Sequence, residues 1–126
     1  MDSLINILVV FLGSGTGGAA RYIVGRLVKS HIWQSTFPWE TLTVNIVGCF
    51  IIGLLYGLST DSQWMSDRVK LLLTVGFCGG FTTFSTFANE NYLLLNTSNL
   101  LTFAAYTATS IIVGIAAVAI GYNLTR

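Results

Sequence analysis

Charge is scarce in this sequence. Only 9% of its 126 residues are Asp, Glu, Lys or Arg, against 53% that are hydrophobic, and the mean hydropathy is +0.73. A soluble domain carries about 25% charged residues, so this chain could not cover a water-facing surface. Three stretches, 41–60, 71–89 and 91–125, hold no charged side chain at all. Histidine is almost missing: His31, the single one, falls in a predicted loop and reads as solvated, not as a ligand or proton relay. Cysteine is little used. Cys49 and Cys78 lack CxxC spacing and neighbouring histidines, so they read as small packing residues and set aside redox and metal roles. No nucleophile–base pair can be assembled, which leaves enzyme chemistry unsupported. No signal peptide is expected either, since Asp2 stands where a basic n-region belongs and the first apolar run continues past any cleavage point.

What is present is length. A membrane-crossing helix needs about 20 mostly apolar residues, and the sequence accommodates such helices over residues 4–28, 38–60, 67–95 and 100–122. The expected fold is an all-α integral membrane protein, one four-helix domain over residues 1–126. Pro38 stands at the start of the second helix, where its missing N–H costs little. "STDSQ" marks the turn after that helix, and "NTSN" is expected to cap the fourth. Trp39 and Trp64 suit the two membrane interfaces, where indole rings settle; Lys29, His31 and Trp33 fill the first loop.

Four spans place both ends of the chain on one side. Arg68, Lys70 and Arg126 lie there, and Arg26 and Lys29 lie on the other, with Arg21 a little deeper. That is no bias, although a Lys/Arg bias normally fixes orientation. Either other determinants set a single topology, or copies insert both ways and pair as an antiparallel dimer. We read the second, because four short helices full of small residues make a poor pathway alone.

"GSGTGG", Gly13–Gly18, satisfies the dinucleotide pattern GxGxxG and has Glu40 about 20 residues on, as that fold would. The rest of the chain defeats the match, for a doubly wound domain needs alternating strands and amphipathic helices. Gly13 and Gly17 instead form GxxxG, which lets membrane helices approach closely. Cys49, Gly53 and Gly57 in the second helix, and Ser110, Gly114, Ala117 and Gly121 in the fourth, make similar contact faces.

The polar residues concentrate in "GFCGGFTTFSTFANEN", Gly76–Asn91. Helical spacing places Phe77, Phe81, Phe84 and Phe87 on one stripe, and Thr82, Ser85, Thr86, Asn89 and Glu90 beside it. Phenylalanines packed in helix contacts and hydroxyls bonded to their own carbonyls would be the ordinary account. Five polar side chains on one face favour a partner or a wet cavity. Gly76 and Gly80 could form a close crossing. Alternatively the third helix is interrupted near Gly79–Thr82, freeing carbonyls that a cation could satisfy. In the second helix Asn45 shares a face with Thr41 and Gly48; in the fourth, Tyr106, Thr109 and Ser110 share one. Hydrogen-bond donors and ring edges with no central carboxylate suit an anion, because the rim of a phenyl ring is its positive part.

"GFCGGFTTFSTF", with Asn45 in "TLTVNIVGCF" and "GGAARY" in the first helix, resembles the Fluc (CrcB) fluoride channels over essentially the whole chain. The resemblance implies an antiparallel, dual-topology homodimer in the cytoplasmic (inner) membrane. Two fluoride pores would lie at its interface, passively exporting fluoride and lowering its toxicity, and a structural sodium ion would sit on the dimer axis. It further implies pore roles for Asn45, Phe84 and Phe87, with Tyr106 and Ser110 extending the polar track. Ser85, Thr86 and Glu90 would lie where the ion passes between vestibule and pore, and Arg21 near the vestibule. The backbone carbonyls of Gly79 and Thr82 would hold the sodium. The alternative is a small multidrug-resistance-type, proton-coupled exporter, also four helices and antiparallel. Such exporters need a buried carboxylate in the first helix, where this chain has only Arg21 and Arg26 as charges. Glu90, the sole acid more than a turn inside a span, lies toward its end.

Overall fold

Four helices long and apolar enough to cross a membrane organise the chain, in a computed structural model that describes residues 2–32, 35–61 and 65–126. Trp33 and Trp64 lie outside the described residues. Helix α1 spans Asp2–His31 and α2 spans Trp39–Leu58. The third span, Asp67–Asn96, is composite: α3 (Asp67–Leu71), a π-helical stretch (Leu72–Cys78), α4 (Gly79–Phe81) and α5 (Phe84–Asn96). Helix α6, Leu100–Thr125, completes the bundle. Each span matches an apolar run of the sequence, with ends that differ by up to about three residues.

The ends follow local chemistry. Pro38 is the N-cap of α2, and its carbonyl accepts from the Leu42 amide at 3.1 Å. Ser66 caps α3 by accepting from the Val69 amide. The turn between α5 and α6 differs from expectation: Asn99 precedes α6 but makes no side-chain cap. The same residues instead terminate α5. Ser98 takes the left-handed conformation (φ 61°), its amide donates to the Leu95 carbonyl, and the Asn99 amide reaches back to Leu94. This satisfies carbonyls that a helix end leaves open.

Small residues set the packing. Helix α1 lies along the π-helical stretch and α4, while α2 lies along α6. A Cβ on Gly13 would meet the Leu72 carbonyl at 2.5 Å, and one on Gly17 would overlap the Phe77 carbonyl. Gly53 and Gly121 bring α2 and α6 together in the same way, against Val118 and Phe50. Gly17→Val should therefore force α1 off the third span, at about 1–3 kcal/mol for overpacking. The readout is a lower unfolding temperature in detergent than for Gly15→Val, since a Cβ on Gly15 meets nothing within 4 Å.

Gly79 and Gly80 are themselves helical; Gly79 has φ −61°, ψ −39°. Gly80 is a crossing residue, pressed on the Ser14 backbone. The extended residues come next, Thr82 (φ −90°, ψ 161°) and Thr83 (φ −149°, ψ 116°). Two extended residues change the helical phase, so the four phenylalanines do not share a stripe. Phe77 stacks on Phe81 (5.7 Å) and Phe84 lies against Phe87 (5.9 Å). Phe81 is 3% exposed and Phe84 is 79% exposed. Outside the helix contacts the surface is apolar, with Phe11, Leu101, Ile115 and Leu124 uncovered, as hydrocarbon solvation requires.

Candidate functional site

The Thr82–Thr83 segment interrupts the regular ladder of helix hydrogen bonds, and named side chains take up the slack. The Thr83 amide, which in a continuous helix would close on the Gly79 carbonyl, donates to Asn45 Oδ1 at 2.8 Å. Asn45 Nδ2 donates back to the Thr83 carbonyl at 3.1 Å. The two bonds together fix which end of the amide is oxygen. The Thr86 amide, due to the Thr82 carbonyl, donates instead to Thr83 Oγ1, which makes Thr83 the N-cap of α5. Gly80's carbonyl accepts from Arg21 Nε at 3.2 Å. Thr82 itself bonds the Cys78 carbonyl through both amide and hydroxyl. Gly79 and Thr82 are thus among the residues whose helical donors are diverted.

A cavity of about 440 Å³ opens beside this segment, and Asn45, Gly79, Thr82, Thr83, Phe84, Phe87 and Ser110 line it. Gly48 gives it depth, since a Cβ there would overlap the Thr82 methyl. Ser110 Oγ is buried and has no hydrogen-bond partner among the described residues. That leaves a hydroxyl available to a ligand. Six of the expected site residues therefore meet in one place.

The others are elsewhere. Tyr106 shares a helix face with Ser110 but is wholly buried. It sits in a cluster with Leu42 and Leu94, with Phe37, Phe87 and Phe103 packed around it. Its hydroxyl donates to Glu90 Oε1 at 2.7 Å, and Thr41 Oγ1 donates to Glu90 Oε2 at 2.8 Å. Glu90 is thereby held by two donors from two other helices. Arg21 and Thr86 line a second cavity, of about 450 Å³, with Arg26, Lys29, Glu40, Thr41 and Thr83. Three cationic side chains against one carboxylate make its field positive, which raises the local anion concentration. Thr83 borders both cavities. Ser85 and Asn89 are exposed.

Sequence reasoning missed Thr83 and underused Thr41. A Thr three residues before another hydroxyl residue at a helix start is an N-cap signal, and "TTFST" carries it. For Thr41 the only signal is its position one turn before Asn45 on the same face.

The family model for CrcB-like protein, Camphor Resistance (CrcB), matches residues 8–122. The chain is 44% identical over 123 residues to the fluoride-specific ion channel FluC of Azobacteroides pseudotrichonymphae genomovar. CFP2, a match covering 98% of each chain. Its identity to FluC of Gloeothece citriformis is also 44%, again with 98% of each chain covered. To FluC of Methylobacillus flagellatus it is 38%, covering 98% of this chain and 96% of the relative. With its four spans matched almost end to end, this multi-pass membrane protein belongs to the CrcB family.

Proposed function

We propose that this protein is a fluoride-specific ion channel, not an enzyme, working as an antiparallel homodimer in the cytoplasmic (inner) membrane and passively releasing fluoride from the cell. The observation that carries the reading is the 440 Å³ cavity that gathers Asn45, Phe84, Phe87 and Ser110. Fluoride is small and tightly hydrated, so a pore must replace its water with contacts that still let it leave. The residues here offer such contacts. Ser110 brings an unpartnered hydroxyl, Asn45 has a second N–H beyond the one given to Thr83, and Phe84 presents an uncovered ring whose rim is positive. Arg21, Arg26 and Lys29 would concentrate the anion in the second cavity, and Thr86 and Thr83 lie on its route inward. Glu90 accepts from Thr41, which lines the second cavity, and the Tyr106 hydroxyl is committed to Glu90.

A second copy is part of the reading for two reasons. Phe84 is largely uncovered, and the open side of the cavity gives an ion protein on one wall alone. Gly79 faces nothing within 4 Å, so another chain could approach its backbone. The sodium proposed at that interface fits the donor set. Gly79 and Thr82 offer carbonyls whose helical donors go to Asn45 and Thr83, and a hard cation takes oxygen ligands. Two carbonyls from one chain leave it under-coordinated, so the partner's pair would complete the set. When bound, sodium supplies the positive charge that orients these carbonyls and ties the two subunits together; it is not transported.

The multidrug-exporter reading gains nothing from the geometry. Glu90, toward the end of the third span, is engaged by Thr41 and Tyr106. Liposomes loaded with fluoride and containing the purified protein should empty rapidly once a potassium ionophore balances charge. Chloride-loaded liposomes should release on the order of a hundredfold more slowly, the discrimination expected when about 2.7 kcal/mol separates the two anions. Equal release of chloride would end the fluoride reading.

A further inference from the structure

We propose that Arg21 is a positioning residue for the cation site, setting the last turn of α4 through its bond to Gly80. This rests on the sodium reading above. Gly80 lies between Gly79 and Thr82, the two residues assigned to the ion, and it is held on two sides. A Cβ on Gly80 would overlap the Ser14 carbonyl, so its backbone lies close against α1, and its oxygen accepts from Arg21 Nε at 3.2 Å. Ser14 and Arg21 are seven residues apart on α1, two turns along one face. The first amides of α5 have no intrahelical acceptor, and the extended Thr82–Thr83 segment carries the Phe84 amide away from Gly80. Arg21 supplies the missing donor, in the stronger charge-assisted form. It also places a cation at the C-terminal end of the continuous helical run from Asp67 to Phe81, where the helix dipole favours one. Without it the Gly80 carbonyl would turn to find another donor, and the Gly79 and Thr82 carbonyls on either side would turn with it.

The guanidinium is also a like charge near a bound cation, so position and charge predict opposite signs. Removing a repelling charge would tighten sodium binding. Removing a positioning bond would weaken it. The test is thermal unfolding of the purified dimer in detergent, with sodium chloride exchanged for N-methylglucamine chloride at constant ionic strength. We expect the wild type to be stabilised by sodium, and Arg21→Ala to need about tenfold more sodium for the same stabilisation, the loss of one such bond. Arg21→Lys, which keeps the charge on a single-point donor, should fall between. Hydrogen exchange of residues 79–86 should quicken in Arg21→Ala while α6 is unaffected. An unchanged or lower sodium requirement in Arg21→Ala overturns the inference and leaves the sodium reading standing. A wild type indifferent to sodium removes both. Should Arg21→Ala not fold, Arg21→Gln keeps an N–H donor and should need about threefold more sodium; an unchanged requirement there overturns the inference equally.

Discussion

Asn45→Ala should abolish fluoride flux and destabilise the subunit together. The substitution removes both hydrogen bonds to Thr83, the amide at 2.8 Å and the carbonyl at 3.1 Å. Each buried backbone group left unsatisfied costs about 1–3 kcal/mol, and hydrocarbon offers no water to repair the loss. The Thr83 amide would then be free to close on the Gly79 carbonyl and continue the helix, which would rotate Phe84 and Phe87 relative to α4. The expected result is a drop in unfolding temperature in detergent and flux below a hundredth of wild type. Asn45→Asp separates the two causes. Its carboxylate still accepts from the Thr83 amide but cannot donate to the carbonyl or to an anion, so it should fold better than Asn45→Ala and conduct as poorly. If Asn45→Ala folds and conducts normally, the break is held by something other than Asn45.

That bond explains what the sequence could and could not disclose. The four spans are legible because an apolar run of about 20 residues has few other homes. The glycine faces are legible because Gly13 and Gly17, or Gly53 and Gly57, recur at helical spacing. The exact position of the interruption is not. Local reasoning places it near Gly79–Thr82, led by the glycines as the residues most permissive of irregular backbone. Gly79 and Gly80 are helical instead, with Gly80 close against the Ser14 backbone, and the extended residues are two threonines with good β propensity. The decision is made by Asn45, thirty-eight residues away, and no local pattern reports a partner at that distance.

Tyr106 and Ser110 show the same limit from another side. They lie one turn apart on α6 and look alike as donors. Glu90, Phe37 and Phe87 close over the first, and the second faces a cavity with its hydroxyl unpartnered. Burial is a property of the neighbours, and the neighbours come from α2 and α5. Six of the expected site residues nevertheless meet at the first cavity, since a polar or aromatic side chain inside an apolar span has few reasons to face lipid.

The two phenylalanines allow conduction to be separated from folding. Phe84→Ile should leave the subunit's stability nearly unchanged, because the ring is 79% exposed and packs chiefly on Phe87. Flux should fall at least about tenfold, since an aliphatic side chain has no positive rim and each 1.4 kcal/mol at the barrier is a factor of ten. Phe87→Ile should behave differently. Phe87 meets Tyr106 at 5.0 Å as well as Phe84 and packs on the Leu42–Leu94–Tyr106 cluster. Losing its aromatic pairs costs about 0.5–1.5 kcal/mol each, so both flux and unfolding temperature should drop. The contrast is the test: liposome flux and detergent unfolding are measured on both variants beside wild type. Normal flux in Phe84→Ile would place the ion path away from this cavity. A large loss of stability there would mean that the ring serves mainly to anchor a contact and not to meet the ion.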